Sequence, residues 1–195
     1  MTAASLVLPS LAMGMGPAVD NVAIRPLISD WSFVSSGPTP PDQAACYLAN
    51  ASSGGRRCFN PTSMANSYDY TRLHNQGNLG QGKTIAIVDS FGSDTIRNDL
   101  ATFNHAFSLQ HMCGETGQFA VPCTSTMPKF SILAVQGSPP AAPPPPNNGT
   151  GQENHNLWAL EVSLDVEWAH ATAPMANIIL VTTPTAETLG NQGFV

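Results

Sequence analysis

The chain has 195 residues, 10% of them charged and 42% hydrophobic, with 16 Gly, 17 Pro and a formal net charge of −6. That suffices for one domain with a real core and is too apolar for a wholly disordered chain. Seven Lys and Arg against thirteen Asp and Glu, scattered apart from the pair Arg56 and Arg57, provide no cationic field for phosphates and exclude a nucleic-acid partner.

Sparse charge together with many Asn, Ser, Thr and Pro points instead to a secreted or extracytoplasmic protein. Ala3 to Met15 is apolar and small and resembles a signal peptide without its basic front. Pro9, Gly14 and Gly16 interrupt it, and no later stretch reaches the roughly 20 apolar residues that span a bilayer, so no membrane partner is expected. Residues 1–57 hold little periodicity and several turn clusters, among them Gly37-Pro38-Thr39-Pro40-Pro41 and Ser52-Ser53-Gly54-Gly55, and read as a leader or linker. Asn50-Ala51-Ser52 and Asn148-Gly149-Thr150 fit the glycosylation sequon.

Four cysteines fall into two local pairs, Cys46 with Cys58 and Cys113 with Cys123. Of the three possible connectivities the local one is favoured, which suits an oxidising compartment. A zinc site built from His105, His111, Cys113 and Cys123 is the competing reading, although no tight Cys-x-x-Cys or His-x-x-x-His clamp is present.

From Cys58 onward, regular elements follow one another. Asn60-Pro61-Thr62 predicts a helix start, with Met64, Tyr68 and Leu73 following and an end by Gly77. Lys83 to Asp89, introduced by Gly80 and Gly82, is a continuous apolar run with β-branched residues, hence a buried parallel strand. Ser93 or Asp94 can cap the next helix, Thr95 to Leu109, in which Ile96, Leu100, Phe103 and Phe107 recur at helical spacing. A strand over Lys129 to Val135, an extended Pro-rich loop over Ser138 to Pro146, a helix over Asn154 to Ala173 and a strand over Asn177 to Val181 complete the order. This alternation predicts an α/β layered fold with a mostly parallel sheet.

The helix from Asn154 carries the chemistry. At about 100° per residue, Ser163, Glu167 and His170 share one stripe, taken as the wetted side, and Leu157, Leu160 and Leu164 form an apolar row for core packing. Glu161 and Asp165 are four apart and therefore neighbours on a third face, with Trp158, Trp168 and Thr172. Two carboxyls side by side among indoles incur both desolvation and mutual repulsion, and each effect raises a carboxyl pKa. Such a pair can be a general base with its orienting partner, or a structural pair satisfied by Thr182 or Lys83. Asp89 ends a strand where α/β folds gather functional groups, but a turn-capping role is the more natural one there. His74 and His105 are weaker candidates for a base. Gly80-x-Gly82 precedes its strand instead of following it, which rejects a dinucleotide fingerprint.

Three segments resemble the sedolisins, the serine-carboxyl peptidases: Cys58-Phe-Asn-Pro-Thr-Ser-Met, Gly80 to Gly92, and above all Leu160-Glu161-Val-Ser-Leu-Asp165-Val-Glu-Trp-Ala-His-Ala-Thr-Ala-Pro174. The resemblance covers 58–195 and includes the tail Leu180 to Gly190. It implies a subtilisin-like fold, incomplete after its third or fourth strand, in which Glu161 is the general base for a serine nucleophile and Asp165 orients it. The site would act on polypeptides at acid pH, where a histidine base is already protonated. Both acids would then project into an enclosed groove. The subtilisin alternative, Asp89 orienting a histidine, lacks a histidine at a convincing helix start. In the family the serine, an oxyanion-stabilising aspartate and a calcium site lie far downstream. The chain is thus expected to be the amino-terminal part of a monomeric secreted endopeptidase, inactive by itself and without a cofactor of its own. Ser90, Ser93 and Ser163 are poor substitute nucleophiles. The alternative is a catalytically silent sedolisin-like binding module.

Overall fold

The computed structural model describes residues 39–49, 57–135 and 155–183. The apolar start, both sequons, the Ser52 to Gly55 cluster, the Pro-rich tract and everything after Thr183 lie outside the described residues. Eight elements follow in order: α1 (Gln43–Ala49), α2 (Pro61–Ser67), α3 (Thr71–Asn75), β1 (Thr84–Ser90), α4 (Ile96–Phe107), β2 (Phe130–Ala134), α5 (His155–Thr172) and β3 (Asn177–Thr183).

The first helix was not legible as one, because the leader residues show no apolar period. Its Cys46 is fully buried and bonded to Cys58, and Gln43 Nε2 donates to the Cys58 carbonyl at 2.7 Å, so this short turn is fastened to the start of α2. Asn60 begins α2 with a reciprocal cap: its Oδ1 accepts from the Ser63 amide at 2.8 Å, and Ser63 Oγ accepts from the Asn60 amide at 2.9 Å. The single helix expected up to Gly77 is divided, since Asp69 takes a left-handed conformation (φ 56°) that ends α2 and restarts the chain as α3.

The sheet is parallel throughout, in the order β1-β3-β2. Ile85, Ile87 and Asp89 of β1 align with Ile178, Leu180 and Thr182 of β3, and these with Phe130, Ile132 and Ala134 of β2, giving one inward face. On the other face Val88 (45% exposed) and Leu133 (57%) meet solvent among the described residues. The apolar run at β1 was expected to be buried throughout. Only one side of it is, because both α4 and α5 contribute to a single cluster on the inward face.

That cluster joins Ile96 and Leu100 of α4, Val162 and Val166 of α5, Met112, Phe130, Ile87, Ile178 and Leu180. It corrects two expectations about α5. Leu160 and Leu164 are 41% and 43% exposed and do not form the core row, whereas His170, assigned to the wetted stripe, is fully buried. The helix is apolar on several sides, so its period alone does not orient it, and the facing layers select the valines. At α4 the cap also differs. Thr95 precedes the helix, and its Oγ1 donates to Asp99 Oδ2 at 2.6 Å, in place of a cap from Ser93 or Asp94.

Both disulfides follow the local pairing, Cys46–Cys58 and Cys113–Cys123, with Cα atoms 5.7 and 4.9 Å apart. The second consumes both thiols of the zinc reading, and His105 stacks on Phe119 while His111 bonds Glu115, so that reading is overturned. Cys113 also bridges to Lys129 beside β2. Replacing both Cys113 and Cys123 by serine should lower stability by about 2–3 kcal/mol, the loop-closure value for a crosslink of this span. Urea denaturation of the double variant against the parent checks it; unchanged stability would mean that the loop is held by its hydrogen bonds alone.

Candidate functional site

The candidate acids stand on α5, a helix of 18 residues anchored through Val162, Val166 and His170. His170 Nε2 lies 2.6 Å from the Gln110 carbonyl and donates to it, which fixes the rotation of the helix about its axis. With that rotation, Glu161 and Asp165 stand one turn apart on α5, on the side that also carries Trp168, whose ring meets Phe103 of α4. Glu161 is half-buried, and its Oε2 is buried with no hydrogen-bond partner. Burial raises the Glu161 pKa above its ordinary value, and the Asp165 charge raises it further; burial also raises Asp165. Neither Lys83 nor Thr182 relieves them. No ion pair joins Lys83 to either acid among the described residues, and Thr182 Oγ1 is itself buried without a partner.

Asp165 is exposed, which corrects the expectation that both acids project into an enclosed groove. It lines a shallow open groove of about 550 Å³ with Leu164, Trp168 and Thr172 of α5, Met64 of α2 and Ile85 of β1. Trp158, placed on the same face by the helical period, is buried against Phe91 instead. The pair therefore has one half-buried and one wetted member. Glu161 keeps a buried oxygen without a hydrogen-bond partner, an acceptor position that nothing in the fold satisfies.

The other candidates are committed elsewhere. Asp89 is buried at the carboxyl end of β1, in register with Thr182. His74 Nε2 lies 2.8 Å from the Thr172 carbonyl and serves to tie α3 to the end of α5. Ser163 Oγ donates to the Ala159 carbonyl at 3.0 Å, and Ser93 Oγ is 3.2 Å from Thr95 Oγ1, so neither hydroxyl is poised as a nucleophile. Beside the same sheet ends, Phe91, Gly92, Ser93, Asp94 and Thr182 border a crevice of about 310 Å³.

Comparison of the chain with protein-family models, with curated proteins and with solved structures finds no match in any of the three. Among the described residues no helix is long and apolar enough to cross a membrane, and the two disulfides suit an oxidising, extracytoplasmic location.

Two buried groups escaped the sequence. Glu115 accepts from the Met112 amide and from Asn104 Nδ2, both at 2.7 Å, and pairs with His111 Nδ1 at 2.5 Å, a cluster that ties α4 to the loop after it. No periodic signal marks a loop glutamate for such a role. Glu167, assigned to solvent, is half-buried, and its pKa is pushed up to about 8 by burial and by the Asp99 charge. Nothing short of knowing which helix faces α5 could have revealed it.

Proposed function

We propose that Glu161 and Asp165 are the acid pair of a serine-carboxyl peptidase of the sedolisin type, set in a subtilisin-like fold and acting on polypeptides outside the cell. The observation that carries this is the buried, unpartnered Oε2 of Glu161 one helical turn from Asp165. In this chemistry Glu161 removes the hydroxyl proton of a serine as it attacks the peptide carbonyl and hands that proton to the departing amine as the acyl-enzyme forms; it then takes a proton from the deacylating water and returns it to the serine as the acid product leaves. Asp165, wetted and adjacent, holds Glu161 in orientation and tunes its proton affinity. A raised carboxyl pKa suits a base that must exchange protons in acid.

The serine and the oxyanion donor are not among the described residues in this proposal. The calcium that the resemblance implies finds no holder here either: no group of three or more His, Cys, Asp or Glu side chains among the described residues could bind a metal ion.

The test is hydrolysis of an unfolded polypeptide at about pH 3–5 by the chain as encoded, together with any residues that follow Val195. Glu161→Gln is expected to reduce turnover by about 10²–10⁴-fold, the range for loss of a general base, with circular dichroism unchanged. Wild-type turnover in that variant would defeat the assignment. A wild-type protein that binds the polypeptide without cleaving it would be the silent module.

A further inference from the structure

The crevice of about 310 Å³ at the sheet ends is separate from the groove of the acid pair, and no residue borders both. It lies at the carboxyl ends of β1 and β3, between the turn that leaves β1 and the first residues of α4. Open α/β sheets take small ligands in crevices of this position and size.

Two groups in its wall lack the partners that burial ordinarily demands. Thr182 is 3% exposed, and its Oγ1 makes no hydrogen bond to any described residue. At the start of α4, Thr95 gives its hydroxyl to Asp99 Oδ2 at 2.6 Å and makes no cap bond. The Ile96 amide reaches the Ser93 carbonyl only at 3.5 Å, and the Arg97 amide has no acceptor among the described residues. A helix of 12 residues therefore begins beside the crevice with unspent donors and the positive end of its dipole. The Arg97 guanidinium is committed to the Gly114 carbonyl at 2.6 Å and to the Phe130 ring, so this residue has its amide to offer here. The bordering backbone is unusual as well. Phe91 is left-handed at φ 60°, and Gly92 follows at φ +83°, where a Cβ would lie 2.9 Å from Thr182 Cγ2.

We propose that the crevice binds a small aliphatic α-amino acid, its carboxylate on the first-turn amides of α4 and the Thr182 hydroxyl, its ammonium toward Asp94. The inference is independent of the peptidase proposal. A carboxylate satisfies the donors that the fold leaves unspent, as anions do at helix starts. Asp94, exposed on the rim, would repel an anion that has no positive end and attracts one that has. Ile96, Ile132 and Leu180 supply apolar wall for an aliphatic side chain. A peptide separates its two terminal charges onto different residues, so the free amino acid is the form that meets both ends of the site.

Titration of the full chain with L-leucine at about pH 6, where both ligand charges and Asp94 are ionised, tests this through ¹H–¹⁵N correlation spectra. Saturable shifts are expected at the Gly92, Ser93, Ile96 and Arg97 amides. Leucinamide, which lacks the carboxylate, and isocaproate, which lacks the ammonium, should each bind about tenfold or more weakly. Thr182→Val removes the hydroxyl at nearly constant shape and should weaken leucine by about five- to tenfold, the weight of one hydrogen bond. Asp94→Asn should weaken leucine without weakening isocaproate. Absence of saturable shifts at these amides overturns the proposal, and so does leucinamide or isocaproate binding as tightly as leucine. The analogue titrations use the wild type and decide the matter even if T182V does not fold.

Discussion

Leu180→Ala should lower the unfolding free energy by about 2–5 kcal/mol, while Leu164→Ala should cost about 1 kcal/mol or less. Leu180 is fully buried in the middle strand, in register with Ile87 on one side and Ile132 on the other. Hydrogen-bonded strands flank it and Val162, Val166 and Leu100 cover it, so the vacated volume has little room to collapse. Leu164 is 43% exposed on the rim of the open groove, and its truncation leaves no cavity. Small domains have roughly 5–15 kcal/mol in total, so the first substitution brings the fold near its limit. Chemical denaturation of the two variants side by side measures the difference. Equal losses would mean that α5 packs through its leucines, and the rotation assigned to the helix, with the placement of Glu161, would be wrong.

The second large effect is at Gly114. Its φ of +108° is one that side chains rarely adopt, and a Cβ there would collide with the Phe130 carbonyl oxygen. The same short segment carries the Cys113 amide to the Pro128 carbonyl at 2.8 Å, the Phe130 amide to the Cys113 carbonyl at 2.8 Å, and Arg97 on the Gly114 carbonyl. An alanine cannot be accommodated by a side-chain rotation, because the obstacle is backbone that enters β2. Gly114→Ala should therefore cost about 2–4 kcal/mol through strain and overpacking. Gly82→Ala is the control: φ is +70° with nothing near its Cβ, so only the backbone penalty of about 1–2 kcal/mol remains. Thermal melts of both variants test this, and equal shifts would show that the Cys113 segment yields freely.

The regular elements from β1 onward were legible because their apolar patterns are long and differ in period. Thr84–Ser90 and Asn177–Thr183 are β-branched runs, and α4 repeats Ile96, Leu100 and Phe103 at helical spacing. The face of α5 was not legible. Polar Glu167 and His170 suggested water, yet the Gln110 carbonyl gives His170 a partner inside, and Glu167 is half-buried. Position 69 broke a helix through a left-handed backbone that its neighbours did not announce. Of the candidate site, the adjacency of Glu161 and Asp165 could be read from their spacing, and so could the direction of their pKa shifts. The unequal wetting of the two could not, since it depends on α2 and β1 bordering the groove.

The strand order has a consequence for how the chain acquires its shape during synthesis. The central strand is the last of the three to leave the ribosome, and neither earlier strand has a described ladder partner except through it. Pairings such as Ile85 with Ile178 must wait until the chain has emerged through β3, and β-contacts so distant along the chain assemble slowly. Until then the inward Ile85, Ile87 and Ile132 stand open together, making the nascent intermediate, more than the folded chain, the species in need of chaperone cover.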